Sequence, residues 1–203
     1  MASVSFQGIK HLLFGALSSL CLSPIRHEKS VTHPSRSYPE VFYQRGRAGN
    51  YVSCWTRGNK DRMALWRLYG GAGPSVAIVT TIEQLAQAAL SWKRRAVVHR
   101  VKYVEHAKVR SYVIGAYTDM LQYKHVAYKY ENEVRLIVPQ QAESWESNPM
   151  SLRLALPDLN RFVRTVVVSP ESSPEFVEVV KDVASKYGLK SKIIPSSLAK
   201  AAV

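Results

Sequence analysis

Residues 128–139 constrain the fold more than any other stretch, because their alternation is the clearest strand signal in the chain. Read as a β-strand, the segment places Tyr128, Tyr130, Asn132, Val134, Leu136 and Val138 on one face, mostly apolar and turned towards a core. The opposite face then carries Lys129, Glu131, Glu133, Arg135 and Ile137. Side chains two apart on one strand face lie about 7 Å from each other, so Glu131 and Glu133 are close neighbours. Two carboxylates at that spacing need compensation, and Lys129 and Arg135 are the expected source.

The chain has 203 residues, enough for one domain with a real core, and a single domain spanning 1–203 is expected. A hydrophobic fraction of 46% and a charged fraction of 21% argue against wholesale disorder and against a membrane protein. The net charge of +13 is unevenly placed. Residues 1–130 hold 19 Lys and Arg against 6 Asp and Glu, whereas 131–203 hold 9 of each. Such a field attracts nucleotides, nucleic acid or another anionic ligand, and it also serves plain solubility. Cys21 and Cys54 are the only cysteines and form no Cys-x-x-Cys pair, which fits a reduced, cytoplasmic protein. The six histidines show no metal-ligand spacing, so no metal is expected.

Along the chain, Ile9, Leu12, Leu13, Ala16, Leu17 and Leu20 recur at helical spacing with Lys10, His11, Ser18 and Ser19 opposite. This reads as an amphipathic core helix rather than an export signal, because the apolar residues keep to one helical face with polar ones opposite. Residues 23–50 form a long basic loop punctuated by Pro24, Pro34, Pro39, Gly46 and Gly49. Its plain reading is a mobile surface loop, and its functional one is that Arg45 and Arg47 close over an anion. Residues 51–56 read as a buried strand, and Asn59 as the N-cap of a helix through Trp66 and Tyr69 that stops at Gly70 and Gly71. A strand at 75–80 follows. The glycines before it follow a helix and precede a strand, the reverse of a phosphate-binding loop.

Thr81 to Gln84 form a capping box that opens a helix to about Trp92. Then come a basic joint at 93–95, a strand at 96–105, and a helix at 107–123 with Val109, Val113, Ala116 and Met120 inward. Beyond a polar loop at 140–149, a strand at 151–156 leads into a β-α-β unit. Its parts are a strand at 162–169, a helix at 174–187 started by Pro174 and stopped by Gly188, and a strand at 191–194. Phe176, Val179, Val180, Val183 and Tyr187 are its expected inner stripe. The fold class is α+β, with a mixed, largely antiparallel sheet flanked by helices.

The order of these motifs resembles a bacterial and phage family labelled a domain of unknown function. The resemblance rests on residues 52–56 with their Cys-Trp pair, on Leu65, Trp66 and Tyr69, on Gly73 with Val76 to Ile78, on Lys124, on residues 130–135 and on Val166 through Ser196. The family's early Asn-Asp-Pro-like motif has only Ser23 to Arg26 as its counterpart, implying a divergent or incomplete N-terminal part. A second likeness, to ADP-ribosyltransferases, lies in the order Arg, Ser-x-x-Thr on a strand, then Glu-x-Glu. It implies NAD as cofactor. Arg45 or Arg47 would hold its phosphates and Ser53 or Thr56 would brace the nicotinamide ribose. Glu133 would stabilise the oxocarbenium-like ribose, and Glu131 would activate the acceptor. The motif positions Trp66, Tyr69, Lys124 and Arg135 complete the candidate cofactor-binding set. Two other readings stand beside it: a salt-bridged structural strand, and a non-catalytic nucleic-acid-binding module that uses the basic excess and its interleaved aromatics.

Overall fold

The computed structural model describes residues 9–10, 19–24, 46, 49–71, 73–92, 94–109, 112–116, 118–139 and 151–201. The chain divides into two units. The first comprises Met1–Ser18, Trp55–Ser91 and Leu156–Val203, the second Ser19–Cys54 and Trp92–Ala155.

In the first unit, four strands run in the order β1 (Ile9–Lys10), β4 (Val76–Thr80), β10 (Thr165–Val168) and β11 (Lys192–Pro195). Their β-branched side chains suit a pleated, covered surface, and Val166, Val167 and Val168 are all buried. β10 pairs antiparallel with β4 and parallel with β11, and helix α4 (Pro174–Lys186) makes the crossover between β10 and β11. The C-terminal β-α-β unit is therefore present. Ser173 caps α4 through the Phe176 N–H, Pro174 occupies the first turn, and Gly188 at φ +70° ends it in a conformation that suits glycine.

Helix α1 (Met63–Leu65) passes directly into a π-helical turn, Trp66–Gly70. Trp66 from that turn packs against Ala77 and Val167. Helix α2 (Ile82–Ser91) begins as expected, with the Gln84 N–H donating to Thr81 Oγ1 at 3.2 Å. A short helix α3 (Leu159–Phe162) precedes β10, and buried Thr80 donates its hydroxyl to the Phe162 carbonyl at 2.6 Å.

Among the described residues, the second unit is built on a five-stranded sheet. Its order is β5 (Val97–Arg100), β8 (Glu133–Pro139), β3 (Asn50–Thr56), β2 (Ser19–Pro24) and β9 (Leu152–Ala155). β3 begins in this unit and its last two residues enter the first. β8 lies inside the sheet and is buried on both faces, with Leu136, Ile137 and Val138 fully covered. A separate parallel pair joins β6 (Lys102–Val104) to β7 (Tyr123–His125).

Several expected elements differ. The ends of the expected N-terminal helix are strands β1 and β2, while residues 11–18 lie outside the described part. In β2 the sequence Ser19, Leu20, Cys21, Leu22, Ser23 alternates locally, and that period of two prevails over the longer helical pattern. Of the long loop, Ser23 and Pro24 belong to β2 and Asn50 to β3, and most of the remainder, including Arg45 and Arg47, lies outside the described residues. Helix α1 starts at Met63 with Arg62 as its N-cap, not at Asn59. The strand expected at 96–105 is broken at Val101, whose N–H turns to the Glu133 carbonyl at 3.0 Å.

The helix expected at 107–123 does not form among the described residues of that range. Short 3₁₀ turns at His106–Lys108 and Asp119–Gln122 flank an irregular stretch in which Val113 is 85% exposed. β-Branched Val109, Val113 and Ile114 disfavour a helix, and Asp119 accepts the Gly115 and Ala116 N–H groups at 2.8 and 2.9 Å, which fixes a turn instead. In the β-α-β unit the strand before α4 begins at Thr165, because Leu159–Phe162 is helical. On α4 Ala184 is buried and Phe176 and Val180 of the expected stripe are half-buried, whereas Val179, Val183 and Tyr187 are exposed.

Candidate functional site

The stretch expected to be one strand from 128 to 139 is two elements. Val126–Glu131 is a 3₁₀ helix, Asn132 adopts the left-handed conformation at φ 46°, and only then does β8 begin at Glu133. Asn tolerates that conformation better than most residues. The consequence is that Tyr128 and Tyr130 are not core residues but stand exposed at 46% and 44%. Glu131 and Glu133 do not share a strand face. They are brought together by a third residue, Lys124 on β7.

Lys124 Nζ donates to Glu131 Oε2 and, at 3.1 Å, to Glu133 Oε2. Glu133 also receives Arg135 Nε at 2.8 Å on one oxygen and Arg135 Nη2 at 3.1 Å on the other, the forked geometry a guanidinium offers a carboxylate. Arg135 Nη1 donates to the Leu121 carbonyl at 2.6 Å. Glu131, Glu133 and Arg135 are all buried. The two carboxylates and two cations therefore cancel within the second unit. Lys129, the expected partner, is exposed, and Lys124 takes its place.

Cys54 and Tyr103 complete the cluster, and sequence reasoning did not select either. The Cys54 thiol hydrogen-bonds to Glu133, and the Glu133 N–H donates to Tyr103 Oη at 2.7 Å. Cys54 is signalled only by its place in the Cys-Trp motif, and nothing in the sequence marks the Tyr103 hydroxyl. β3 and β8 present Val52, Cys54, Glu133, Arg135 and Ile137 to one side of the sheet, where Val52 and Ile137 pack with Met120 and Leu121. Gly46 lies against Met120 so closely that a Cβ there would come within 2.2 Å of its Sδ. Ser53 faces the other side by strand alternation, and its hydroxyl is buried with no hydrogen-bond partner among the described residues.

The electrostatics follow from these contacts. Burial opposes ionisation of Glu133, but the Arg135 hydrogen bonds and charge, the thiol and Lys124 together hold it below the usual carboxylate range. Burial likewise works against the Lys124 ammonium and the Arg135 guanidinium. Hydrogen bonds and charge from the carboxylates outweigh it, so both are raised. Burial and the adjoining Glu133 charge push the Cys54 thiol up to about 12. Cys54 nevertheless keeps exposed surface, so the carboxylate is the part of that shift that does not depend on excluding water. Burial first, and then the two carboxylates, raise Tyr103. A carboxylate with both oxygens engaged is a weak general base, and a thiol near 12 is not a nucleophile at neutral pH. The cluster is thus a lock between β7, the 3₁₀ helix and β8.

β7 has a second side. Its Tyr123 and His125 belong to a continuous set of rings: Tyr123 packs edge-on to Tyr112 at 4.9 Å, and Tyr112 Oη bonds His106 Nδ1 at 2.6 Å. His106 stacks on His125 at 6.0 Å. Lys102 Nζ lies 5.5 Å from the Tyr123 ring centre, and Lys124 Nζ lies 4.9 Å from that of Tyr128. His106, His125, Lys102, Tyr128, Lys129 and Tyr130 are all exposed. Residues 92–130 carry nine Lys and Arg against two Asp and Glu in sequence, and of these Lys102 and Lys124 lie over the tyrosine rings.

Of the remaining expected site residues, Thr56, Trp66 and Tyr69 belong to the first unit. Trp66 is a buried core residue there and Tyr69 is 46% exposed. Ser53, Lys124, Glu131, Glu133 and Arg135 belong to the second. Among the described residues there is no group of three or more His, Cys, Asp or Glu able to hold a metal ion, and no helix long and apolar enough to cross a membrane. Comparison with protein-family models, with characterised proteins and with solved structures finds no match.

Proposed function

We propose that this protein binds single-stranded nucleic acid through the ring surface on β7 and the 3₁₀ helix that follows it. One observation carries the reading: tyrosines and histidines in mutual contact, several of them exposed, are interleaved with lysines in a segment of nine basic and two acidic residues. Rings offer stacking to any base and the cations track the backbone. The buried ion cluster would serve this surface by fixing β7 and the 3₁₀ helix to β8.

The test is fluorescence anisotropy with labelled DNA and RNA strands of about 20 nucleotides, long enough for one such site. Affinity should fall steeply between about 50 and 200 mM salt, since each neutralised phosphate releases counterions. Replacing Tyr128 and Tyr130 with Ala should weaken binding by roughly 1–3 kcal/mol per stacked base. No binding at low salt, or binding indifferent to both salt and the tyrosines, rejects it.

A second reading, NAD-dependent glycosyl transfer at Glu131 and Glu133, is favoured by one feature: Glu133 is held ionised beside the exposed residue Cys54. Catalysis would require the Glu133 oxygens to exchange Lys124 and Arg135 for the ribose. Nicotinamide release from NAD that disappears in Glu133→Gln supports this reading, and release unchanged in that variant ends it.

A further inference from the structure

We infer that two copies of this chain associate through helix α4, packed antiparallel about a two-fold axis. The inward side of α4 is satisfied, with Ala184 only 3% exposed. Flanking that side, Val179, Val183 and Tyr187 follow one another at i, i+4 and i+8 and are 54%, 40% and 74% exposed. This spacing makes a single apolar seam along the flank of a 13-residue helix about 20 Å long, ending at its C-cap, Tyr187.

The charges beside the seam identify the occupant. Glu175 and Glu178 lie in the first turns of α4, while Lys186 lies in the last and Lys190 just beyond it. By helical geometry Glu175, Asp182 and Lys186 fall along one edge of the seam. The helix is therefore acidic at its start and basic at its end. A second copy running the opposite way sets acid against base at both ends, whereas a parallel copy sets like against like. With the axis between Val179 and Val183, each Val179 packs on the partner's Val183, and each Glu175 reaches the partner's Lys186. Such a contact is isologous, as a two-fold requires. Lys186 already holds Asp182 of its own helix at 2.6 Å, so the partner's Glu175 adds a second carboxylate to a cation that is already positioned. One helix pair buries less than the roughly 1,200 Å² of a standard interface, so the dimer is weak and concentration-dependent.

Sedimentation equilibrium of the full chain, from about 10 to 500 µM, should show the weight-average mass rising towards two chains. Val183→Glu, at an exposed position, should raise the dissociation constant at least about tenfold while the circular-dichroism melt stays unchanged. Glu175→Lys and Lys186→Glu should each weaken association, and the two together should restore it, a rescue that only the antiparallel arrangement provides. A chain that stays monomeric throughout, a dimer indifferent to Val183→Glu, or a double reversal no better than the single ones overturns the inference.

Discussion

Lys124→Met tests the ion cluster most directly, because methionine keeps much of the aliphatic length and removes the charge that bridges two carboxylates. The Glu131 and Glu133 side chains are 6% and 4% exposed, and that of Lys124 is 22% exposed. Removing one partner from a buried ion pair costs about 3–5 kcal/mol. The partial exposure of Lys124, together with the two bonds Arg135 still gives Glu133, places this substitution near about 3 kcal/mol, including the contact with the Tyr128 ring. In a chain of 203 residues each kcal/mol moves the midpoint by roughly 2–4 °C, so Tm should fall by about 6–12 °C at neutral pH.

The pH dependence supplies the sharper readout. In the wild type, Glu133 is depressed, so its contribution is present above the ordinary carboxylate pKa and is lost only as pH falls through its lower folded value. In the variant Glu133 loses the Lys124 charge that favours its ionised form, so its folded pKa is raised relative to the wild type. The gap between the two melts should therefore narrow as pH falls from neutral through that raised value towards the lower wild-type one. Thermal melts by far-UV circular dichroism across that range measure it. Equal midpoints at neutral pH, or a gap that does not change with acidification, would refute the argument that Lys124 holds this site together.

Cys54 should resist iodoacetamide for reasons of protonation rather than access. The adjoining Glu133 charge disfavours the thiolate whatever the access of water, so Cys54 should react well below the rate of a free cysteine. Glu133→Gln should speed alkylation, and a wild-type rate equal to that of a free thiol would contradict the assignment. Asp119→Ala removes the acceptor for the Gly115 and Ala116 N–H groups and should cost about 1 kcal/mol in urea denaturation. Asp119 is held below the usual range, first by the Gly115 N–H, so its contribution is present above the ordinary pKa. The difference from wild type should vanish as acid protonates the native carboxylate, and a pH-independent difference would exclude this role.

The C-terminal β-α-β unit was legible because three local signals agree there: a β-branched run, Pro174 at the helix start and Gly188 at its end. The α+β class followed from the same kind of agreement. The stretch at 128–139 was misread in its first half because alternation is compatible with exposed tyrosines on a 3₁₀ helix, and nothing in the sequence marks Asn132 as left-handed. Glu131, Glu133 and Arg135 do come together, but through Lys124 rather than along one strand face, because the 3₁₀ helix and Asn132 interrupt the strand between the two carboxylates. Cys54 was hidden for another reason: its contact with Glu133 is made across the sheet, between strands far apart in sequence. The helix assigned to 107–123 failed where β-branched residues and the Asp119 turn outweigh a periodic pattern. The ring surface was invisible because its members are drawn from three short segments, each unremarkable alone.

The bridge from Lys124 to the two carboxylates spans seven residues to Glu131 and nine to Glu133. Loops that short cost an unfolded chain little entropy to close. The first unit offers the contrary case, since Asp61 accepts the Ser196 hydroxyl at 2.8 Å across 135 residues of sequence. During folding the first link asks only for local order, and β7, the 3₁₀ helix and the start of β8 can meet before either sheet is complete. The second link cannot form until the segments Trp55–Ser91 and Leu156–Val203 of the first unit, separated in the chain by residues 92–155, have been brought together.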